Sequence, residues 1–279
     1  MNLGNKYWTY KKVRLLKYKA ETKRSKIEGG TDLNNWLIQP YSYLKAIFYI
    51  EGGILLAYLL QRTSITPNFV TIIYILLGFL GGIFLSIDNH NLILAATIIF
   101  FSKSIIDFTD GLLAKMKKTT SNLGHLLDTW GGVVGDYSFI VGLGFYLFNK
   151  YQSIHFLFLI ILILIFKCLD FKSHFYIMSL HTLLSDNKNQ IKSQKSKKKS
   201  KFNTSKTLLN IKIFISSLFD SRSRSVDFIC LLILIDTFFS EVFFIKYIFY
   251  FIVFKTIVLF SGSFYILFFK DYEKNIKIL

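Results

Sequence analysis

Apolar runs long enough to cross a bilayer, repeated from about residue 66 to residue 269, constrain this sequence more than any other feature. A transmembrane helix needs about 20 predominantly apolar residues. Runs of this kind occupy about 66–86, 91–115, 122–147, 154–180 and 243–269. A further run at about 226–240 is short and is expected to extend at one or both ends. In hydrocarbon every backbone N–H and C=O must be satisfied without water, and an apolar segment does this as a helix. The expectation is therefore an all-α polytopic membrane protein with six transmembrane helices. Composition agrees, with 52% hydrophobic and 18% aromatic residues among 279, which argues against a pair of soluble domains.

Charge sets the orientation. The net charge is +17, and the basic residues concentrate in the N-terminal segment, the linker Lys115–Lys118, the 184–225 loop and the tail at 271–279. The opposite connections, near 87–90, 148–153 and 240–242, carry almost no Lys or Arg. The positive-inside rule then places both termini and the basic linker in the cytoplasm, with a bacterial inner membrane as the expected compartment. In a membrane chain such basicity points to anionic lipids and phosphorylated substrates, not to nucleic acid. Cys168 and Cys230 lie in apolar runs and suggest no disulfide framework. The first forty residues lack the apolar core of a signal peptide, so the first span is expected to direct insertion. Trp8 and Tyr10 fit a segment resting on lipid or a solvated tail equally well. The tract KSQKSKKKSK in the long loop is at most a lipid-surface contact.

Within this apolar background lies DFTDGLLAKMKKTTSNLGHLLDTWGGVVGD, residues 107–136. Asp107 and Asp110 are three apart and so share a helix face. Asp128 follows on the next apolar run, after the short basic linker. Each carboxylate costs roughly 2.5–3.5 kcal/mol to place in a span and needs a partner. A hairpin of the two runs would bring all three to one membrane face. Oxygen ligands of this kind suit magnesium, manganese or calcium.

The stretch resembles the signature of the CDP-alcohol phosphatidyltransferase family: Asp, two residues, Asp-Gly, two residues, Ala-Arg, eight residues, Gly, three residues, Asp, three residues, Asp. Asp107, Asp110, Gly111, Ala114, Gly124 and Asp128 fall in register. Lys115 stands in place of the Arg, keeping the charge but not the bidentate fork. Gly132 stands in place of the fourth Asp, the family's general base. TPNFVT, from Thr66, also resembles the start of the family's first span.

The resemblance implies a set of roles. A phosphatidyl or similar phospho-lipid group would pass from a CDP-linked lipid to an alcohol, with release of CMP, in phospholipid synthesis. Asp107, Asp110 and Asp128 would bind Mg2+ or Mn2+, as a pair of ions. Those residues with Gly111, Ala114, Lys115 and Gly124 would hold the nucleotide. An amphipathic helix on the cytoplasmic interface would precede the first span, which fits residues 42–61 with their Lys45, Glu51 and glycine pair. The expected organisation is then 1–62 as basic segment and interfacial helix, 63–270 as the six-helix catalytic domain, and 271–279 as a cytoplasmic tail. Family members are commonly dimers.

Two positions extend this reading. Asp136 lies one turn beyond Gly132 on roughly the same face and is the candidate substitute base. Arg222 and Arg224 are candidates for an acceptor phosphate if the acceptor is a phosphorylated polyol; otherwise they serve topology. Lys167 and Asp170 are expected to pair with each other. Two other classes remain open: a catalytically degenerate relative that binds CDP-lipid or metal, and a divalent-cation transporter using the same carboxylates.

Overall fold

The computed structural model describes residues 7–28, 46–169, 224–239 and 244–269. Every regular element among them is helical. Helix α1 spans Tyr10–Glu28. A π-helical turn, Ala46–Ile50, leads directly into α2, Glu51–Leu60. Then come α3 (Pro67–Ser86), α4 (His90–Lys117) and α5 (Asn122–Tyr151). Helix α6 is His155–Leu169, α7 is Arg224–Phe239 and α8 is Phe244–Phe269.

Four helices are long and apolar enough to cross a membrane: α3, α4, α5 and Phe244–Gly262 of α8. The protein is an integral membrane protein on this count. Helix α6 is a shorter apolar helix as described, and α7 has 16 residues. The expected fourth run reached about residue 180, and its part beyond Leu169 lies outside the described residues. Arg222, Asp170 and most of the 184–225 loop lie outside them too.

Local chemistry fixes the helix ends that matter for the site. Thr66 caps α3 by accepting from the Phe69 N–H at 3.3 Å, and Pro67 occupies the first turn, where no N–H is needed. Asn89 caps α4 through the N–H groups of Asn91 and Leu92. At the other end of α4, Lys118 adopts φ 55° in the left-handed region, and the Thr119 N–H returns to the Ala114 carbonyl at 2.9 Å. Three residues later the Ser121 hydroxyl accepts from the Gly124 N–H at 3.0 Å and opens α5. The chain thus reverses within Lys118–Ser121, and α4 and α5 form a tight hairpin.

Helix α3 packs extensively on both arms of that hairpin. Glycines allow the approach: a Cβ on Gly82 would lie 2.5 Å from the Ser138 carbonyl oxygen, and one on Gly142 would lie 2.6 Å from that of Gly82. The main core lies on the far half of the hairpin, where Phe100 and Phe139 meet edge to face at 5.0 Å among Leu85, Leu143 and Ile163. A smaller core joins Val13 of α1 and Ile50, Ile54 and Ala57 around α2 to Leu112 and Met116 of α4. It attaches the N-terminal helices beside the aspartates. At the opposite end Asp236 of α7 is buried, with Lys150 and Tyr146 of α5 on its carboxylate.

Candidate active site

The motif residues converge where α3, α4 and α5 meet the hairpin turn. A cavity of about 200 Å³ there is lined by Asp110, Gly111, Ala114, Lys115, Gly124 and Asp128. Thr71, Asn68 and His125 add to its polar wall, as do Thr119, Thr120 and Ser121 from the hairpin turn. Asp107 is half-buried beneath this wall, one turn down α4. A second cavity, lined by Thr63, Asn68, Lys117 and Thr119, adjoins it on the α2–α3 side. Lys117 holds that edge by donating to the carbonyls of Thr63 and Ile65 at 2.8 and 2.7 Å.

Each aspartate has a distinct setting. Asp110 is buried and accepts a hydrogen bond from the Thr71 hydroxyl at 2.6 Å. Its other oxygen accepts from the Gly111 N–H. Asp107 lies close enough to Asp128 across the hairpin, and to the Tyr74 hydroxyl of α3, to interact electrostatically with both. Two carboxylates facing each other in a low-dielectric site repel unless a proton or a cation lies between them. The all-oxygen donor set of Asp107, Asp128 and Asp110 therefore fits a hard divalent ion such as Mg2+ or Mn2+. Among the described residues, no three His, Cys, Asp or Glu side chains are grouped to hold an ion as they stand. Asp110 is engaged instead by Thr71 and Gly111.

Two glycines border open space. A Cβ on Gly111 would meet nothing within 4 Å, and one on Gly132 would meet only the Tyr74 hydroxyl, at 3.9 Å. Gly124 is different, because Asn68 Oδ1 and Ser121 Oγ would crowd a Cβ there at 3.0 and 3.2 Å.

Asp136 does not line the cavity; it forms an ion pair with Lys167 of α6. The eight residues from Asp128 to Asp136 correspond to about 12 Å of helix rise, which carries Asp136 deeper than the motif. Asp170, the expected partner of Lys167, lies outside the described residues; among the described residues Lys167 pairs with Asp136. Arg224 opens α7, and Arg222 lies outside the described residues.

Sequence reasoning passed over Thr71, Tyr74, Lys103 and His125. Thr71 and Tyr74 lie one and two turns after Pro67, facing the hairpin. Lys103 was visible as a lysine inside an apolar run, four residues before Asp107. His125 follows the motif glycine directly.

The sequence model of CDP-alcohol phosphatidyltransferases matches residues 64–240, more than half of the chain. The chain belongs to the CDP-alcohol phosphatidyltransferase family. No curated protein matches it. Membership places the protein among the membrane transferases of phospholipid synthesis, which move a phosphate-linked group between a CDP-alcohol and an alcohol acceptor and depend in general on divalent cations.

Proposed function

We propose that this phosphatidyltransferase transfers a phosphatidyl or closely similar group from a CDP-linked lipid to a small alcohol or phosphorylated polyol, with release of CMP. The observation that carries the reading is the cavity walled by Asp110, Gly111, Ala114, Lys115, Gly124 and Asp128. Residues separated along two helices become one surface there, of the polarity a nucleotide diphosphate requires.

Asp107, Asp110 and Asp128 would hold the divalent ion. Bound there, it would neutralise the pyrophosphate and stabilise charge on the departing phosphate. Gly111, with no protein atom near its missing Cβ, lets the nucleotide approach the backbone. Ala114 and Gly124 keep the wall low, and Lys115 meets a phosphate as a point charge. The acceptor hydroxyl attacks the lipid-side phosphorus, the bond from that phosphorus to the bridging oxygen breaks, and CMP departs.

The acceptor proton needs a base, and Gly132 supplies none. Asp136 is the proposed substitute, and its ion pair with Lys167 fixes the position of the carboxylate. Arg222 and Arg224 are proposed to meet an acceptor phosphate. The site and both termini face the cytoplasm, the bundle completes six spans, and residues 1–62 lie along anionic lipid at that interface. The catalytic bundle occupies 63–270, and the protein works as a homodimer.

The test is direct. Purified protein with labelled CDP-diacylglycerol, magnesium or manganese and a panel of acceptors should release CMP with at least one of them. A second reading, a binding protein without turnover, is favoured by one observation, the missing carboxylate at Gly132. It predicts CDP-lipid binding with no CMP release across the whole panel.

A further inference from the structure

Lys103 enters the hairpin core from α4, one turn below Asp107. Its ammonium lies 4.4 Å from the centroid of the Tyr74 ring. The side chain passes Gly78 of α3 and Gly135 of α5, and only residues without side chains leave room for it. A Cβ on Gly78 would lie 3.0 Å from Lys103 Cε, and one on Gly135 only 1.7 Å from Nζ. Among the described residues Lys103 forms no ion pair with a carboxylate. Asp107 and Asp136 nevertheless both act on it electrostatically.

A cation taken out of water inside a bundle needs negative charge close by. Asp136 is already neutralised by Lys167. That leaves Asp107, with Asp128 and Asp110 beside it. On the facing helix Gly132 contributes no carboxylate, and the space next to it opens toward the Tyr74 hydroxyl.

We propose that the Lys103 ammonium is a built-in positive charge of the metal site, so that this protein binds one divalent ion and not a pair. The proposal rests on the reading of the three aspartates as metal ligands. At the inner end of the cavity three carboxylates and the Lys103 ammonium leave two negative charges, which a single Mg2+ or Mn2+ balances; Lys115, on the cavity wall, is left to the phosphate. A second divalent ion would leave two excess positive charges in a low-dielectric site, with Lys103 close by and no fourth carboxylate to receive it. Lys103 touches neither nucleotide nor acceptor in this account. It acts through the field at Asp107.

The experiment is a Mn2+ titration of the purified full-length protein in detergent, with free Mn2+ followed by electron paramagnetic resonance. The native chain should bind one ion. Lys103→Met, which keeps the length and removes the charge, should bind Mn2+ more tightly by about tenfold or more. Combining Lys103→Met with Gly132→Asp should raise the count to two. Two ions on the native chain would overturn the proposal whether or not the variants fold, and so would an unchanged affinity in Lys103→Met. Asp110→Asn separates the two levels of inference. Loss of Mn2+ binding supports the aspartate site, whereas undiminished binding removes that site and the role of Lys103 with it.

Discussion

At Gly132 a side chain would enter open space, since a Cβ there would have only the Tyr74 hydroxyl within 4 Å, at 3.9 Å. Gly132→Asp should therefore fold normally and, in a competent site, raise CMP release. General bases contribute about 10²–10⁴-fold, so a rise of tenfold or more is expected in a labelled-substrate assay. Gly82 behaves in the opposite way. Its Cβ would be driven into the Ser138 backbone at 2.5 Å, and Gly82→Ala should lower stability by about 1–3 kcal/mol, read as a fall in melting temperature in detergent. The proposed base gives a third test. Asp136→Asn should abolish turnover while leaving CDP-lipid affinity within about twofold; retained turnover would move the proton to another group. Lys167→Met is a useful companion, because it releases the Asp136 carboxylate from its partner and should lower kcat without changing CDP-lipid affinity.

Among the elements, α1 is the one held by polar contacts as much as by packing. Glu51, at the start of α2, accepts from Tyr18 at 2.5 Å, Arg14 at 2.7 Å and Tyr10 at 3.1 Å. Gln61 makes two further bonds to the backbone of Trp8, at 2.9 and 3.0 Å. Burial pushes the Glu51 carboxyl up, but the hydrogen bonds from Tyr18, Arg14 and Tyr10 outweigh it and hold the group below its ordinary value of 4.5. A depressed carboxylate stabilises above its unfolded value and loses that contribution as pH falls through the folded one. Tyr18 is pushed up to about 12, first by burial and then by Glu51. Its contribution is complete below 10.0 and disappears as pH rises toward about 12. Docking of α1 should accordingly be constant from about pH 5 to 9 and fail on either side. Hydrogen exchange across Val13–Thr22 measures it, and Glu51→Gln at pH 7 should speed that exchange by about tenfold or more, as expected for lost charged hydrogen bonds.

For the whole molecule, charge sets which way the hairpin is proposed to face. Lys115–Lys118 and the other basic segments favour the cytoplasm. Cysteines at Thr119 and Asp88, both exposed, should label from opposite sides of sealed, oriented vesicles. Asp88 is chosen so that the neighbouring Asn89 cap of α4 stays intact. The exposed Cys168 should first be replaced by Ser. Labelling of both positions from one side would refute the proposed topology.

Much of this protein follows from its sequence alone. Apolar runs give helices that start where expected, at Pro67, His90, Asn122, His155 and Phe244, to within a residue or two. The reason is local, since in an apolar run the backbone satisfies itself and Thr66, Asn89 and Ser121 supply the caps. The motif spacing likewise picks out six residues of the cavity wall, Asp110, Gly111, Ala114, Lys115, Gly124 and Asp128, because a hairpin with so short a turn can close in few ways. Tertiary structure alone decides the rest. The sequence cannot say that Lys167 reaches Asp136, that Thr71 takes one oxygen of Asp110, or that Glu51 collects three donors from α1. These partners are remote in the chain, and which of several nearby charges meet depends on helix rotation and crossing. The path of Lys103 is set in the same way, by the glycines of two other helices that leave it room.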